Sequence, residues 1–508
     1  MRSEKLFRPF IRPMFNSHCG GIRLDEVSLM KRIGALLLCG ILLLPAAGAS
    51  GTPWPAWAAE ALAWGREKSV SRAFLASPGQ RLTRGAVARL LYESAGQPAA
   101  HEECPFSDVS EKDAAAVGWA AGQGYLTGVG DGTYEPGRPV TRQEFAAILW
   151  RQAGTPEVPV QGLERFGDAG TVSEWARDAV LWCQQAGVMA GRSGDKLAPE
   201  DTITTAEALV MLERAAGLPD VGQLRDDLEI LAAHHRPVGS QGEADAVRYL
   251  RDRFEEMGYS VTLQPYTDGQ GRTGHNVAAV KAASVPDADI LVLSAHHDSV
   301  PTAYGANDNA SGVAALLYTA EALRNVPTDT EVRFLSFTDE ENGKNGSRTY
   351  TASLTEEERT RIVGAIQFDM LGGLGSTGTL VCTVDGEANW VSDLLQKKNP
   401  GLESGVETAS DHTSFQLSGI PAVLLMQRGR GYLYHSAADT AEQLDLYAIA
   451  AAADSAAAAA EEICSADTPS YRALAREQGE RGAYRQTRQN MIYFGSSRAD
   501  TEAYIGAA

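Results

Sequence analysis

With 508 residues the chain is too long for one hydrophobic core, so about two to four domains are expected and function has to be read segment by segment. Hydrophobic residues at 44% and charged residues at 22% exclude a chain dominated by disorder. A formal charge of −20 excludes nucleic acid as a partner, because a phosphate backbone is held by a basic face that releases its counterions.

The first apolar run, residues 33–44, is roughly half of the ~20 residues that a membrane-spanning helix needs. Lys31 and Arg32 precede it and Ala47-Gly48-Ala49 follows it, the arrangement of a signal peptide core. Residues 1–49 are therefore expected to be a removed leader, with a secreted mature chain that begins near Ser50 and has no membrane span. Met30 is an alternative start that would make residues 1–29, with Cys19, an over-extended frame; an unusually long signal is the other reading. Bulky Leu38 before Cys39 argues against lipidation. Export leaves Cys104, Cys183, Cys382 and Cys464, four thiols that could pair, with no CxxC spacing of the kind that holds structural zinc.

Residues 50–217 carry a weak internal repeat of helix, Gly turn and helix, in copies at about 50–100, 104–156 and 164–217. The copies open at Trp57-Ala58, Trp119-Ala120 and Trp175-Ala176, and these Trp residues are expected to pack in a core. The second helices begin at Leu82-Thr-Arg-Gly, Val140-Thr-Arg-Gln-Glu and Ile203-Thr-Thr-Ala-Glu, where each Thr can serve as an N-cap. In the second copy Gly128-Val-Gly-Asp-Gly-Thr-Tyr-Glu-Pro136 reads as the intervening turn.

Together with Phe106-Ser-Asp-Val109, these motifs resemble the S-layer homology module. The resemblance implies three modules in a helical prism that binds cell-wall polysaccharide at a bacterial surface, with an arginine of the second helix reaching the anionic sugar. Arg84 and Arg142 stand at that position, whereas the third copy has Thr205 and the first lacks a clear turn, so three complete grooves are not expected.

After Gly217-Leu-Pro219 the pattern changes to alternating helices and strands. Helices are expected over 225–235 and 243–257, strands over 260–265, 276–281, 290–294, 331–337, 364–368, 379–384 and 421–426, and a closing helix over 450–460. Continuous apolar runs such as Ile290-Leu-Val-Leu point to strands buried on both faces. The fold class is thus α/β, a doubly wound, mostly parallel sheet with helices on both faces over residues 218–465. An all-α domain of repeats precedes it, and residues 466–508 follow as a tail or added helix. Ligands of such sheets lie beyond the strand C-termini.

Acidic and imidazole residues gather at those ends. His296 and Asp298 follow one strand, and Asp308 lies in the turn Gly305-Ala-Asn-Asp-Asn-Ala-Ser-Gly312. Glu340 and Glu341 follow another strand, Asp369 caps a third, and His435 lies in Tyr434-His-Ser-Ala-Ala-Asp-Thr440. Converging oxygen and nitrogen ligands suit zinc in an open catalytic site. A pair of cations about 4 Å apart lowers the pKa of an attacking water and polarises the scissile carbonyl. A free carboxylate beside a ligating one, as in Glu340-Glu341, can carry the water's proton to the leaving amine.

The ordered set over about residues 220–465 resembles the co-catalytic zinc aminopeptidase family of the bacterial leucyl aminopeptidase and aminopeptidase Y type. That resemblance implies a hydrolase releasing N-terminal residues from peptides with two Zn2+ per chain. One zinc would be held by His296, Asp308 and Asp369, and the other by Asp308, Glu341 and His435. It also implies Glu340 as general base and Tyr434 as an aid to the tetrahedral intermediate. Asp298, two residues from His296, is placed to fix the imidazole tautomer, and Asp439 to support the ligands similarly.

Other candidates take blander readings. His297 points away from its neighbour along an extended chain, and His234 and His235 are read as surface residues of a helix. Ser410-Asp411-His412 is either pocket lining or a helix start. A single-zinc glutaminyl cyclase and a metal-free binding ectodomain are the alternatives within the same fold. A carboxypeptidase would need a cation for the substrate carboxylate, for which Arg428 and Arg430 are the candidates.

Overall fold

The computed structural model describes residues 53–98, 103–156, 158, 162–192, 195–431, 433–465 and 468–493. The expected leader, with Met30, Cys19, Cys39 and the mature start near Ser50, lies outside them. The described residues from 54 onward belong to one compact unit. Within it one large hydrophobic cluster draws on residues 58–212 and another on residues 221–475.

In the first part the threonine caps set the register of everything else. Thr83, Thr141 and Thr204 each accept a hydrogen bond from the amide three residues on, starting the helices Arg84–Ser94, Arg142–Gln152 and Thr205–Ala216. Glu144 and Glu207 return the bond in the last two, closing capping boxes. The residue before each cap pairs with another copy: Leu82 N–H donates to the Ile203 carbonyl at 3.0 Å, Ile203 to Val140 at 2.9 Å, and Val140 to Leu82 at 3.0 Å. Three copies thereby close into a ring. Asp108 accepts from the Tyr134 and Glu135 amides at 2.7 Å, and Asp168 from Leu197 and Ala198 at 2.8 Å, so each pins the turn that precedes a second helix. Asp168 belongs to Phe166-Gly-Asp-Ala, an opening of the third copy that the sequence reading passed over.

Two of the three tryptophans depart from expectation, and the arginines have partners within the ring. Trp119 packs against Tyr92 and Tyr125, but Trp57 and Trp175, also expected in the core, are 61% and 58% exposed. Arg142, expected to reach a sugar, is 3% exposed. It donates to the carbonyls of Leu197 at 3.0 Å and Ala190 at 2.9 Å and pairs with Glu207 at 3.0 Å. Arg84 repeats the pattern on the Tyr134 and Thr127 carbonyls, with its guanidinium 4.4 Å from the Tyr134 ring centre. These bonds tie one copy to the next.

The second part is an eight-stranded sheet in the order β1-β2-β4-β3-β5-β8-β6-β7. Its strands are β1 Ser260–Thr267, β2 Thr273–Lys281, β3 Ile290–His296, β4 Glu331–Phe337, β5 Ile362–Phe368, β6 Thr379–Thr383, β7 Glu403–Val406 and β8 Ala422–Gln427. The core β4-β3-β5-β8 is parallel and β6 pairs with β7 in parallel, while β1–β2, β2–β4 and β6–β8 are antiparallel. The sheet is therefore mixed around a parallel centre. β3, β5 and β8 are buried throughout, as two covered faces require. On one face Leu291 and Leu293 lie under the helix Ser311–Leu323, on which Leu446–Cys464 packs in turn; on the other Ile290 and Val292 share a cluster with Tyr350 and Phe415. Cys104, Cys183, Cys382 and Cys464 are all free, the last three buried. Among the described residues no helix is long and apolar enough to cross a membrane.

Residues 468–493 form a helix, Thr468–Tyr493, that lies along β5 and the helices Trp390–Lys398 and His412–Leu417. Polar and aromatic contacts seat it: the Trp390 amide donates to Gln478 at 2.8 Å, the Trp390 and Tyr471 rings lie 4.6 Å apart, and Gln416 donates to the Gly482 carbonyl at 3.4 Å. A Cβ on Gly479 would fall 1.8 Å from the Gly419 carbonyl oxygen. Gly479→Leu is therefore expected to lower the thermal unfolding midpoint by about 5 °C or more, and Glu480→Ala, on the exposed side, to leave it unchanged.

Candidate metal centre

Each arm of the centre leaves the sheet at a strand end. β3 ends at His296, β5 delivers Asp369, and β4 ends at Phe337 just before Glu340 and Glu341. Three non-glycine residues here occupy the left-handed region: Asp339 at φ 59°, Met370 at φ 54° and His435 at φ 56°. Such conformations persist only where neighbours over-determine them. At Asp339 the carboxylate does so by accepting from Asn342 at 2.6 Å and Asn345 at 2.8 Å. Asp308 sits in the irregular turn Ala306–Ala310, and glycine is required on both sides of it. A Cβ on Gly305 would meet the Asp308 carbonyl oxygen at 2.3 Å, and one on Gly312 the Asn309 side chain at 2.3 Å.

All five expected ligands come together, in two sets that share Asp308: His296, Asp308 and Asp369, then Asp308, Glu341 and His435. His296 Nε2 lies 3.3 Å from Asp308 Oδ1 and 3.5 Å from Asp369 Oδ1. His435 Nε2 lies 3.2 Å from Asp308 Oδ2 and 3.0 Å from Glu341 Oε2. Tetrahedral bonds of about 2.0–2.1 Å separate neighbouring donors by about 3.3 Å, so both cradles have the dimensions of a zinc site with an open position. Several of the atoms that face one another here are buried without a hydrogen-bond partner, namely His296 Nε2, His435 Nε2, Glu341 Oε1 and Asp369 Oδ1. Buried polar atoms left unpaired in one place are what a divalent cation would satisfy.

Supporting groups hold the arms in place. Asp298 Oδ1 is 3.3 Å from His296 Nδ1, and its two oxygens accept from the Glu340 and Glu341 amides at 3.0 and 3.2 Å. Asp439 accepts from the amides of Asn307 at 2.6 Å and Asp308 at 3.1 Å. Two supports were not foreseen. Ser410 donates to Asp369 Oδ2 at 2.6 Å. Arg236, fully buried, donates to the carbonyls of His297, Tyr304 and Gly305, joining the His296 arm to the Asp308 arm. Neither has a signal in hydrophobic periodicity or in ligand spacing.

Electrostatics follow from crowding in a desolvated space. Burial, reinforced by Asp308, pushes the Glu341 carboxyl up to about 8, and burial likewise raises Glu340 well above the usual range. Burial works against charge on His296, but Asp369 and its neighbours outweigh it and hold the imidazole well above its ordinary value. The bland readings find ordinary contacts. His297 is buried with Nδ1 2.9 Å from Ser336 Oγ, and His235, in the turn after the helix Gly222–Leu231, meets the Tyr304 ring edge-on. Asp411 and His412 are both buried at a helix start, with Gln367 donating to Asp411 at 3.3 Å and His412 Nε2 2.9 Å from the Glu407 carbonyl.

Residues 276–460 match the Peptidase family M28 profile, and residues 105–146 and 165–209 match the S-layer homology domain. The chain carries an M28 peptidase domain behind S-layer homology domains. Aminopeptidase YwaD of Bacillus subtilis (strain 168) is 35% identical over 169 residues, 32% of this chain and 36% of that protein. Leupeptin-inactivating enzyme 1 of Streptomyces exfoliatus is 32% identical over 209 residues, 38% of this chain and 45% of that protein. The chain thus spans less than half the length of the curated relatives it matches. A solved zinc aminopeptidase from Bacillus subtilis covers 49% of this chain and 97% of its own, at 19% identity and a TM-score of 0.47. The five clustered side chains all lie inside the stretch matched as M28, and the two S-layer homology stretches fall on the second and third copies of the ring.

His412 gives the M28 domain a predictable acid sensitivity. Burial pushes its imidazole down to about 4, below the ~6.5 of an unfolded chain. Between those values the unfolded state binds more protons, so stability is fully present above about pH 6.5 and falls as the pH drops toward 4. Urea unfolding should show up to about 3 kcal/mol of this loss. His412→Gln, which keeps a donor for the Glu407 carbonyl, is expected to flatten that slope; an unchanged slope would refute the assignment.

Proposed function

We propose that residues 218–465 form a zinc-dependent aminopeptidase domain, and that His296, Asp308 and Asp369 hold one ion while Asp308, Glu341 and His435 hold the other. The observation that carries this reading is the shared carboxylate, with one oxygen facing each imidazole. Two zinc ions held there would polarise the scissile carbonyl and acidify the attacking water. The chain's own groups supply the remainder. Glu340 is the free carboxylate of the Glu-Glu pair, and Asp298 holds its backbone amide beside the ligand set, so its carboxylate takes a proton from water and returns it to the leaving amine. Asp298 Oδ1, 3.3 Å from His296 Nδ1, is placed to orient the ring so that Nε2 faces the ligand set. The Tyr434 ring stacks on His435 with centres 3.7 Å apart. Burial and the nearby Asp308 push its phenol up to about 12, so at neutral pH it stays protonated and donates to a developing oxyanion.

Glu340→Gln is expected to lower kcat by about 10²-fold or more on aminoacyl-arylamides while the bound zinc stays at two per chain. Chelator should abolish turnover in the wild type. Retained activity in the variant would remove Glu340 from the role of base, and one zinc per chain with cyclisation of N-terminal glutamine would favour the glutaminyl cyclase alternative.

We further propose a secreted enzyme held at the bacterial cell wall through the ring of repeats. Support comes from the exposed aromatic rings beside basic cavities. Trp175 borders a cavity of about 250 Å³ with Arg84, Arg138, Arg151 and Glu144, and Trp57 one of about 540 Å³ with Arg142, Arg192, Arg214 and Glu207, so arginine outnumbers acid in both. Trp57→Ala combined with Trp175→Ala should reduce co-sedimentation with isolated walls by about tenfold without changing arylamide turnover, since stacked aromatics contribute on the order of 1 kcal/mol each. Undiminished sedimentation would dismiss these cavities as the wall contact.

A further inference from the structure

The loop after β8 is tied at its start, where the Arg428 amide donates to the Gly378 carbonyl at 2.8 Å and Gln427 to the Gly429 carbonyl at 3.1 Å. Gly429 and Gly431 both take positive φ, 79° and 70°, so the backbone on each side of Arg430 is of the most pliable kind. Between them the Arg430 guanidinium makes contacts in two directions. Toward its own loop it lies 5.2 Å from the Tyr434 ring centre, and Nη1 donates to the Tyr434 hydroxyl at 3.3 Å. Across the mouth, Nη2 pairs with Glu407 Oε2 at 3.0 Å.

Glu407 is itself well anchored. Its other carboxylate oxygen accepts from the Thr408 and Ala409 amides at 2.8 and 3.0 Å, and its carbonyl meets His412. The segment it fixes leads directly to Ser410, which holds Asp369. Arg430 therefore spans two walls of the centre: one carries Tyr434 stacked on His435, and the other carries the serine bound to Asp369. Lysine could not make both contacts, because only the planar guanidinium presents donors in two fixed directions.

We propose that Arg430 is a positioning residue that latches the Tyr434 phenol over the metal centre by tying its loop to Glu407. The proposal rests on the reading of this site as an aminopeptidase, and it assigns the only arginine found bridging both walls among the described residues to orientation of the phenol. The carboxylate-binding role considered from sequence would instead leave this side chain free for substrate.

The test is a double-mutant cycle on an arylamide that the wild type hydrolyses. Arg430→Ala is expected to lower kcat by about tenfold with KM, zinc content and thermal midpoint little changed, Tyr434→Phe to lower it at least as much, and the pair to lose no more than Tyr434→Phe alone. Arg430→Lys should behave as Arg430→Ala. Independent losses that multiply, a loss confined to KM, or an unaltered kcat in either single variant would each overturn the proposal. A readout that needs no turnover runs beside it. With a 3-fluoro label on the Tyr434 ring, the wild type should give one sharp 19F resonance, and Arg430→Ala should broaden or split it. An unchanged resonance overturns the latch whether or not the aminopeptidase reading stands.

Discussion

One carboxylate between two imidazoles constrains the whole catalytic half. Asp308 can face His296 with one oxygen and His435 with the other only if its turn approaches the sheet without side chains at Gly305 and Gly312. Asp439 then fixes the turn through two backbone amides, and Arg236 fixes its start through carbonyls. Three ligating carboxylates in so small and buried a space repel one another, and burial raises the proton affinity of Glu341 instead of leaving it charged. The fold tolerates this because five separate strand ends and loops, each anchored in the sheet, hold the groups in place. A doubly charged cation bound there would offset that electrostatic cost.

Much of this was legible before any coordinates. Strands buried on both faces announce themselves as unbroken apolar runs, and β4 falls on the expected 331–337 residue for residue. β7 was missed because Glu-Ser-Gly-Val at a sheet edge has neither an apolar run nor alternation. The five clustered side chains could be picked out because chemistry-bearing residues recur at strand ends in one order. Arg236 could not, since it works through main-chain carbonyls and any loop arginine looks the same in sequence. Residues 466–508 were read as a tail or an added helix, and the choice stayed open for a different reason. The helix Thr468–Tyr493 docks through Gly479, glutamines and Tyr471 instead of an apolar stripe, so the pattern that reveals most helices is weak in it.

The repeats show how a motif can be read correctly while its side chains are misjudged. The threonine caps and the turns are where the spacing put them. Yet the aromatic residues assigned to the core at Trp57 and Trp175 stand in solvent. Sequence shows that a residue recurs; only packing shows which way it faces.

The mutual bonding of Leu82, Val140 and Ile203 sets a limit on how the first half of the chain can change. A linear stack of repeats can lengthen by copying one unit at its end, because each unit touches only its neighbours. A cycle of three that satisfies every partner has no free terminus on which to add a fourth, and deleting one member leaves an orphaned donor and an orphaned acceptor facing water. Variation in what this part of the molecule holds must therefore come from exchanging side chains within a fixed count of copies.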